Sequence, residues 1–319
     1  MSRTVIVGVD GAAESLAAAD WAAREALLRG LPLKLLHVWQ SWTPAYTQAP
    51  LLGSVPAQYT TEGGDAGRIT ADRTRYWAER IPRETCERLR ERHPGLDVSF
   101  EQADGRPIAV LDAASLRADV LVLGSRGLSA LTGFLMGSVS MSVIAHAERP
   151  VVLVRAGTRA EDAFRPAPGG GAPQEGAYRD VVLGLDLAGP CDELIAYAFE
   201  AAAARGAALR VLHGWSLPPV FGYDPAGIDP GHSTELEVLR ARALSDALNP
   251  WRDKYPDVEV IAQCVVGRAA DHLVEAANDA SLVVVGRRIR RSPVGAHIGP
   301  VTHAALHHAT TPVAVVPHH

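Results

Sequence analysis

The chain is written twice. TVIVGVDG at 4–11 returns as DVVLGLDL at 180–187, and LKLLHVW at 33–39 as LRVLHGW at 209–215, both at an offset of 176. Further on, GRPIAVLDAASLRADVLVLG at 105–124 returns as GRAADHLVEAANDASLVVVG at 267–286, and PVVLV at 150–154 as PVAVV at 312–316, both at an offset of 162. Four matches in one order and at two offsets indicate a tandem duplication. The first copy carries 14 extra residues between its second apolar run and HPGLDV. Between the copies lies a Gly-, Pro- and Ala-rich stretch with no apolar period, which reads as a flexible linker. The expected organisation is therefore a domain at 1–156, a linker at 157–178 and a second domain at 179–319.

Within a copy, short β-branched runs alternate with longer amphipathic stretches. In the first copy the runs are TVIVGV, LKLLHVW, LDVSFEQ, DVLVLG and PVVLVR, separated by candidate helices near 13–29, 67–92, 106–116 and 137–147. Alternation of this kind predicts an α/β fold, with a parallel sheet covered by helices on both faces. Five strands in about 150 residues suit a doubly wound domain, so two such domains stand in tandem.

Composition removes several functions. A net charge of −5 argues against a nucleic-acid partner, which calls for a basic face. Three scattered cysteines without a CxxC pair argue against a disulfide framework or a zinc–cysteine site and favour the cytoplasm. No apolar run is long enough to suggest a membrane span, and the N-terminus reaches Asp10 too early for a signal peptide. The only lysines are Lys34 and Lys254, and neither follows a glycine, so there is no P-loop. There is no GxSxG elbow and no GxGxxG fingerprint. No residue is assigned a catalytic role.

The chemistry concentrates in GSRGLSALTGFLMGSVS, 124–140, which follows the fourth apolar run. In a doubly wound sheet, ligands bind beyond the carboxyl ends of the strands where the strand order reverses. Gly124 and Gly127 would permit positive φ and close backbone approach. Their amides, with those of Ser125 and Arg126, would form an anion-binding concavity. Gly137-Ser138 opens a helical segment, and Ser138 would cap it or turn its hydroxyl and the free helix-end amides toward a phosphate. A tight strand–turn–helix connection with no ligand is the competing reading. Asp10, at the end of the first strand, would face the same crevice, or act only as a helix-start residue.

Gly124-x-x-Gly127, nine residues, then Gly137-Ser138 is similar to the nucleotide motif of the universal stress protein family. VGVDGAAES, LHVW and PVVLVR also resemble that family, and the likeness covers both copies. The resemblance implies five-stranded parallel sheets of order 3-2-1-4-5 and ATP between strands one and four, with Mg2+ or Mn2+; ADP or AMP is an open alternative. It places Gly8, Val9 and Asp10 on the adenosine side, with Asp10 near ribose or metal, and Val38 beside adenine. It gives ribose and phosphates to Gly124, Ser125, Arg126, Gly127, Gly137, Ser138, Val139 and Ser140. It implies no metal site built from protein ligands alone. It also implies antiparallel pairing of PVVLVR with PVAVV, an internal dimer that could pair again, and a stress-response regulator acting through a protein partner. The alternatives are a slow ATPase or autophosphorylating enzyme using Ser138 or Ser140, and a ligand-free dimerisation module.

The second copy departs from the motif. Gly286 and Gly299 keep the 13-residue spacing, but Ile289 replaces the second glycine and Pro300 the serine. With Gly184 and Asp186 retained, a weak or vacant second site is expected, formed by Gly184, Asp186, Gly286, Arg287 and Gly299. Arg287, Arg288, Arg290 and Arg291 would serve as phosphate ligands or form a solvated loop. His303 and His307 sit four apart, a spacing open to zinc or to plain surface histidines. His37 and His213 recur near the end of strand two and are expected to be structural.

Overall fold

In the computed structural model, residues 3–39, 79–125, 137–166, 176–215, 230–289 and 298–319 are described, those at 230–234 by backbone only. The first domain runs β1 (Val5–Gly8), α1 (Ala13–Arg29), β2 (Leu33–Trp39), α2 (described over 79–92), β3 (Val98–Asp104), α3 (Pro107–Ser115), β4 (Val120–Ser125), α4 (Ser138–His146) and β5 (Val151–Arg155). The second runs β6 (Asp180–Gly184), α5 (Asp192–Arg205), β7 (Leu209–Trp215), α6 (Pro230–Lys254), β8 (Val260–Val266), α7 (Ala269–Ala277), β9 (Ala280–Arg288), α8 (Pro300–His308) and β10 (Val313–His318). The third strand lies about one pleat later than its apolar run suggests. The 14 extra residues of the first copy lie outside the described residues.

The strands form one ten-stranded sheet of order β3-β2-β1-β4-β5-β10-β9-β6-β7-β8. Each half reads 3-2-1-4-5 in its own numbering, and every pair within a half is parallel. The halves meet at β5 and β10, which pair antiparallel with Ala314 opposite Val152. That seam removes two exposed edges, which in isolation would invite aggregation.

Local sequence explains the layers. Val5, Val7, Val120 and Val122 point to one face of the sheet, and Ile6, Leu121 and Leu123 to the other, as the period of two requires. Helices α1, α2, α5 and α6 cover the first face; α3, α4, α7 and α8 cover the second. Helix α1 packs an alanine stripe, Ala18, Ala19, Ala22, Ala23 and Ala26, which lets it approach the strands closely. It ends at Gly30 in the left-handed region (φ 62°), whose N–H reaches the carbonyls of Ala26 and Leu27.

The two halves are locked by buried charge as well as by the seam. Glu25 of α1 is fully enclosed and accepts from Arg29 Nε at 2.6 Å and from Arg205 Nη2 of α5 at 2.5 Å. The Arg29 guanidinium also lies 4.9 Å from the Tyr197 ring centroid. Burial, acting against the neighbouring arginines, leaves the Tyr197 phenol pushed up to about 12. Arg155 beyond the seam donates to Leu306 O and His307 O at the end of α8. The linker has structured ends: a short 3-10 turn at Glu161–Ala163 precedes an antiparallel bridge between Phe164 and Tyr178, whose rings lie 4.8 Å apart.

Candidate functional site

The sheet order puts the ends of β1 and β4 side by side, with Val5 opposite Val120 and Val7 opposite Val122. Chain connections leave this pair in opposite directions, β1 to β2 and β4 to β5. The crevice is thus a switch point between strands. Asp10 lies exposed two residues beyond β1, and its Oδ1 accepts from the Ala12 N–H at 2.9 Å. The Asp10 N–H donates to Ser15 Oγ, and the Ser15 hydroxyl donates to Ala12 O. The loop into α1 is therefore held by side chains, and the second carboxylate oxygen of Asp10 is outside that turn.

Gly8 closes on Leu123 and Leu111, the former 3.0 Å from where a Cβ would stand. The Val9 side chain is core, so only its backbone borders the crevice. Its carbonyl lies 2.7 Å from His37 Nδ1, which must carry the proton there. His213 repeats the bond to Leu185 O at 2.9 Å. These recurring histidines pin the loop after the first strand of each half. Val38 and Val139 each pack, partly buried, against the apolar cluster on the α3 and α4 face.

At the end of β4 the structure changes two expectations. Gly124 does not adopt a positive φ. It is small because α1 begins directly above it: a Cβ would stand 2.6 Å from the Glu14 carbonyl carbon and 2.8 Å from the Ser15 nitrogen. The Ser125 hydroxyl is buried and donates to Val154 O, on the β5 side. Ser138 is not the helix cap either. Gly137 is the N-cap, and Ser138 is the exposed first residue of α4. Among the described residues, no side chain accepts from the first-turn amides of α4. Ser140 is buried, and its hydroxyl donates to Gly124 O at 3.1 Å, tying α4 to β4. Arg126 and Gly127 lie outside the described residues.

The second half holds a cavity of about 390 Å3 at the corresponding place, between the ends of β6 and β9. Gly184, Asp186, Gly286 and Gly299 all line it, with Leu194, Leu212, Leu273, Arg288 and His318. Asp186 repeats the turn of Asp10, its Oδ1 accepting from Ala188 N at 3.0 Å. Thr302 repeats the tie of Ser140, its hydroxyl donating to Gly286 O at 2.7 Å.

Arg287 is the expected site residue that turns elsewhere. It is buried, and its guanidinium donates to Ala147 O at the end of α4, across the seam. The cause is that β9 continues to Arg288, pairing with β10 through His318, and successive side chains on a strand point to opposite faces. Gly286 and Arg288 share the crevice face; Arg287 takes the other. Ending the fourth strand at Gly286 hides that alternation, and extending it by one pleat reveals it. Ile289 donates its N–H to His318 O, prolonging the strand pairing. Arg290 and Arg291 lie outside the described residues. His303 and His307 stack with ring centroids 4.1 Å apart. Burial pushes the Cys191 thiol up, with Asp192 and Asp186 adding to it.

Comparison with known proteins gives a consistent result. The model of the Universal stress protein family matches residues 1–155 and 177–317. A universal stress protein of Mycobacterium tuberculosis is 34% identical over 313 residues, covering 98% of this chain and 96% of the relative. One of Mycolicibacterium smegmatis is 32% identical over 316 residues, covering 98% and 96%. Among solved structures, a universal stress protein from Archaeoglobus fulgidus superposes with a TM-score of 0.66, covering 99% of both chains at 16% identity, a likeness of fold. No helix among the described residues is long and apolar enough to cross a membrane.

Proposed function

The chain belongs to the universal stress protein family, and on that premise we propose that its first domain binds an adenine nucleotide, ATP with Mg2+ or Mn2+, between the ends of β1 and β4. Occupancy of that crevice is the state the protein passes on to a partner. The observation that carries this reading is the start of α4. A helix with glycine at its N-cap, and no capping side chain among the described residues, directs its first-turn amides and the positive end of its dipole at whatever occupies the crevice. Exposed Ser138 adds a hydroxyl at the same point.

The donor set suits the ligand. Backbone amides at the end of α4 would hold phosphate oxygens, and Asp10, with one carboxylate oxygen outside its turn, would meet the metal or ribose. Val38 and Val139 offer apolar surface for the base. Amides bind and orient phosphates without moving a proton, so the set supports binding and sensing rather than turnover.

The test is to denature the purified protein and quantify the released nucleotide by chromatography. About one adenine nucleotide per chain, or a rise in Tm with excess Mg-ATP, is expected. No released nucleotide together with an unmoved Tm would overturn the reading and leave a ligand-free dimerisation module.

A further inference from the structure

The second crevice has kept its scaffold and lost its phosphate chemistry. Pro300 is the first residue of α8 and has no N–H to give. The Gly286 backbone is also covered. The place a Gly286 Cβ would take lies 2.6 Å from His318 Nε2 and 2.8 Å from its Cδ2, so the imidazole fills the approach an anion would need to reach that strand end. The aligned position in the first domain is Ala156, which has no such ring.

What the cavity offers instead are side chains. His318 Nδ1 faces two oxygen acceptors, Pro190 O at 3.1 Å and His319 O at 3.3 Å, so a neutral ring keeps its proton there and presents Nε2 as an acceptor. Arg288 stands beside His318 in the strand register and reaches over Gly189, 2.7 Å from the place of a Cβ there. It has no hydrogen-bond or ion-pair partner among the described residues. Asp186 adds a carboxylate at the rim, one oxygen of which is engaged by Ala188. The remaining wall is apolar: Leu194, Leu212, Leu273 and Val301. At about 390 Å3 the space is at the small end of ligand sites.

We propose that this cavity binds a small, mostly apolar hydroxycarboxylic acid rather than a nucleotide. Its carboxylate pairs with the Arg288 guanidinium, whose planar fork matches two carboxylate oxygens. Its hydroxyl donates to His318 Nε2, which stands over Gly286 in the cavity lining. Its body lies against Leu212, Leu273 and Val301. The chain would then carry two crevices of the same architecture that answer to different ligands.

Titration calorimetry on the full chain with 4-hydroxyphenylacetate, phenylacetate and AMP tests this. The expected result is saturable binding of 4-hydroxyphenylacetate, weakened about tenfold or more in Arg288→Gln, the loss expected when a charge-assisted pair is removed. His318→Ala should erase the preference for 4-hydroxyphenylacetate over phenylacetate. Amide chemical-shift changes should cluster at Ala269, Gly286 and Val301. Arg288 has no hydrogen-bond partner among the described residues, so Arg288→Gln should keep its ligand-free Tm within a few degrees; His318→Ala gives up the buried ring and its bond to Pro190 O, so it is read by the ratio of the two affinities rather than by Tm. AMP binding that is lost in Arg288→Gln would overturn the proposal in favour of a second nucleotide site. So would failure of 4-hydroxyphenylacetate to bind at millimolar concentration, or binding indifferent to Arg288.

Discussion

The two crevices stand on the same strand pair, the same turn and the same tie, yet present different atoms to a ligand. Asp10 and Asp186 make identical turns, and Ser140 and Thr302 donate to the aligned carbonyls of Gly124 and Gly286. Both helices start after a glycine N-cap, but above this shared frame the first domain leaves an exposed serine, and the second leaves proline, arginine and histidine. The aligned glycines themselves differ in purpose. Gly124 makes room for the backbone of α1, and Gly286 for the ring of His318 and Leu194. Duplication has preserved what positions the crevice and freed what fills it.

The sharpest asymmetry between the halves is also the largest expected effect. Arg29 and Arg205 occupy matching places at the ends of α1 and α5, but the carboxylate that bridges them, Glu25, has Ala201 as its counterpart. Burial raises the Glu25 carboxyl, and Arg205 and Arg29 outweigh it, holding it below the ordinary carboxylate range. Glu25→Gln should cost about 3–5 kcal/mol, because the enclosed Arg205 loses its carboxylate partner and Arg29 is left with Asp119, at 3.6 Å. Since the folded value lies below the unfolded one, this stabilisation is present above the unfolded carboxylate pKa of about 4.3 and is lost as pH falls through the folded value. Denaturant titrations at pH 7 and in acid should show a large deficit for Glu25→Gln at neutral pH that shrinks on acidification. A constant deficit would mean the pair contributes packing rather than charge.

The aligned glycines give a second, smaller contrast. Gly124→Ala drives a Cβ into helix backbone, which cannot yield without moving α1; a loss of about 2–3 kcal/mol is expected. Gly286→Ala meets the side chains of His318 and Leu194, which can rotate, and should cost about 1 kcal/mol. Urea midpoints of the two variants read the difference directly. Equal losses would show that β10 holds His318 as rigidly as α1 holds its first turn.

Which parts of this were legible in the sequence follows from what each part depends on. The repeat offsets and the βα alternation gave the two halves, their strand order came with the family resemblance, and the limits of α1, α3 and α4 fell within a residue or two. The antiparallel meeting of β5 and β10 came with the same resemblance, and it covers two apolar edges. The purpose of Gly124 was not legible, since a close approach between Gly124 and Glu14 is a contact between distant segments that no local pattern encodes. Glu25 looked like one acidic residue on an amphipathic helix; only the packing of α1 on α5 encloses it. Arg287 and Arg288 read alike in a run of arginines until the extra pleat of β9 sent them to opposite faces.

The smallest effect bears most directly on why the crevices differ. Helix α8 begins with Pro300 at the position Ser138 holds in α4, so the fold accepts proline there. Ser138→Pro should therefore leave the Tm of the ligand-free protein nearly unchanged while removing one first-turn amide and the exposed hydroxyl. Nucleotide affinity should fall about tenfold, the equivalent of one or two lost hydrogen bonds of about 1 kcal/mol each. The reverse change, Pro300→Ser, restores an amide to α8 but leaves the His318 ring over Gly286, so it should not create a nucleotide site. If Pro300→Ser alone brings ATP binding to the second domain, the helix end decides which ligand a crevice takes. If Pro300→Ser succeeds only together with His318→Ala, the ring decides it, and the two domains differ chiefly in what β10 carries at its end.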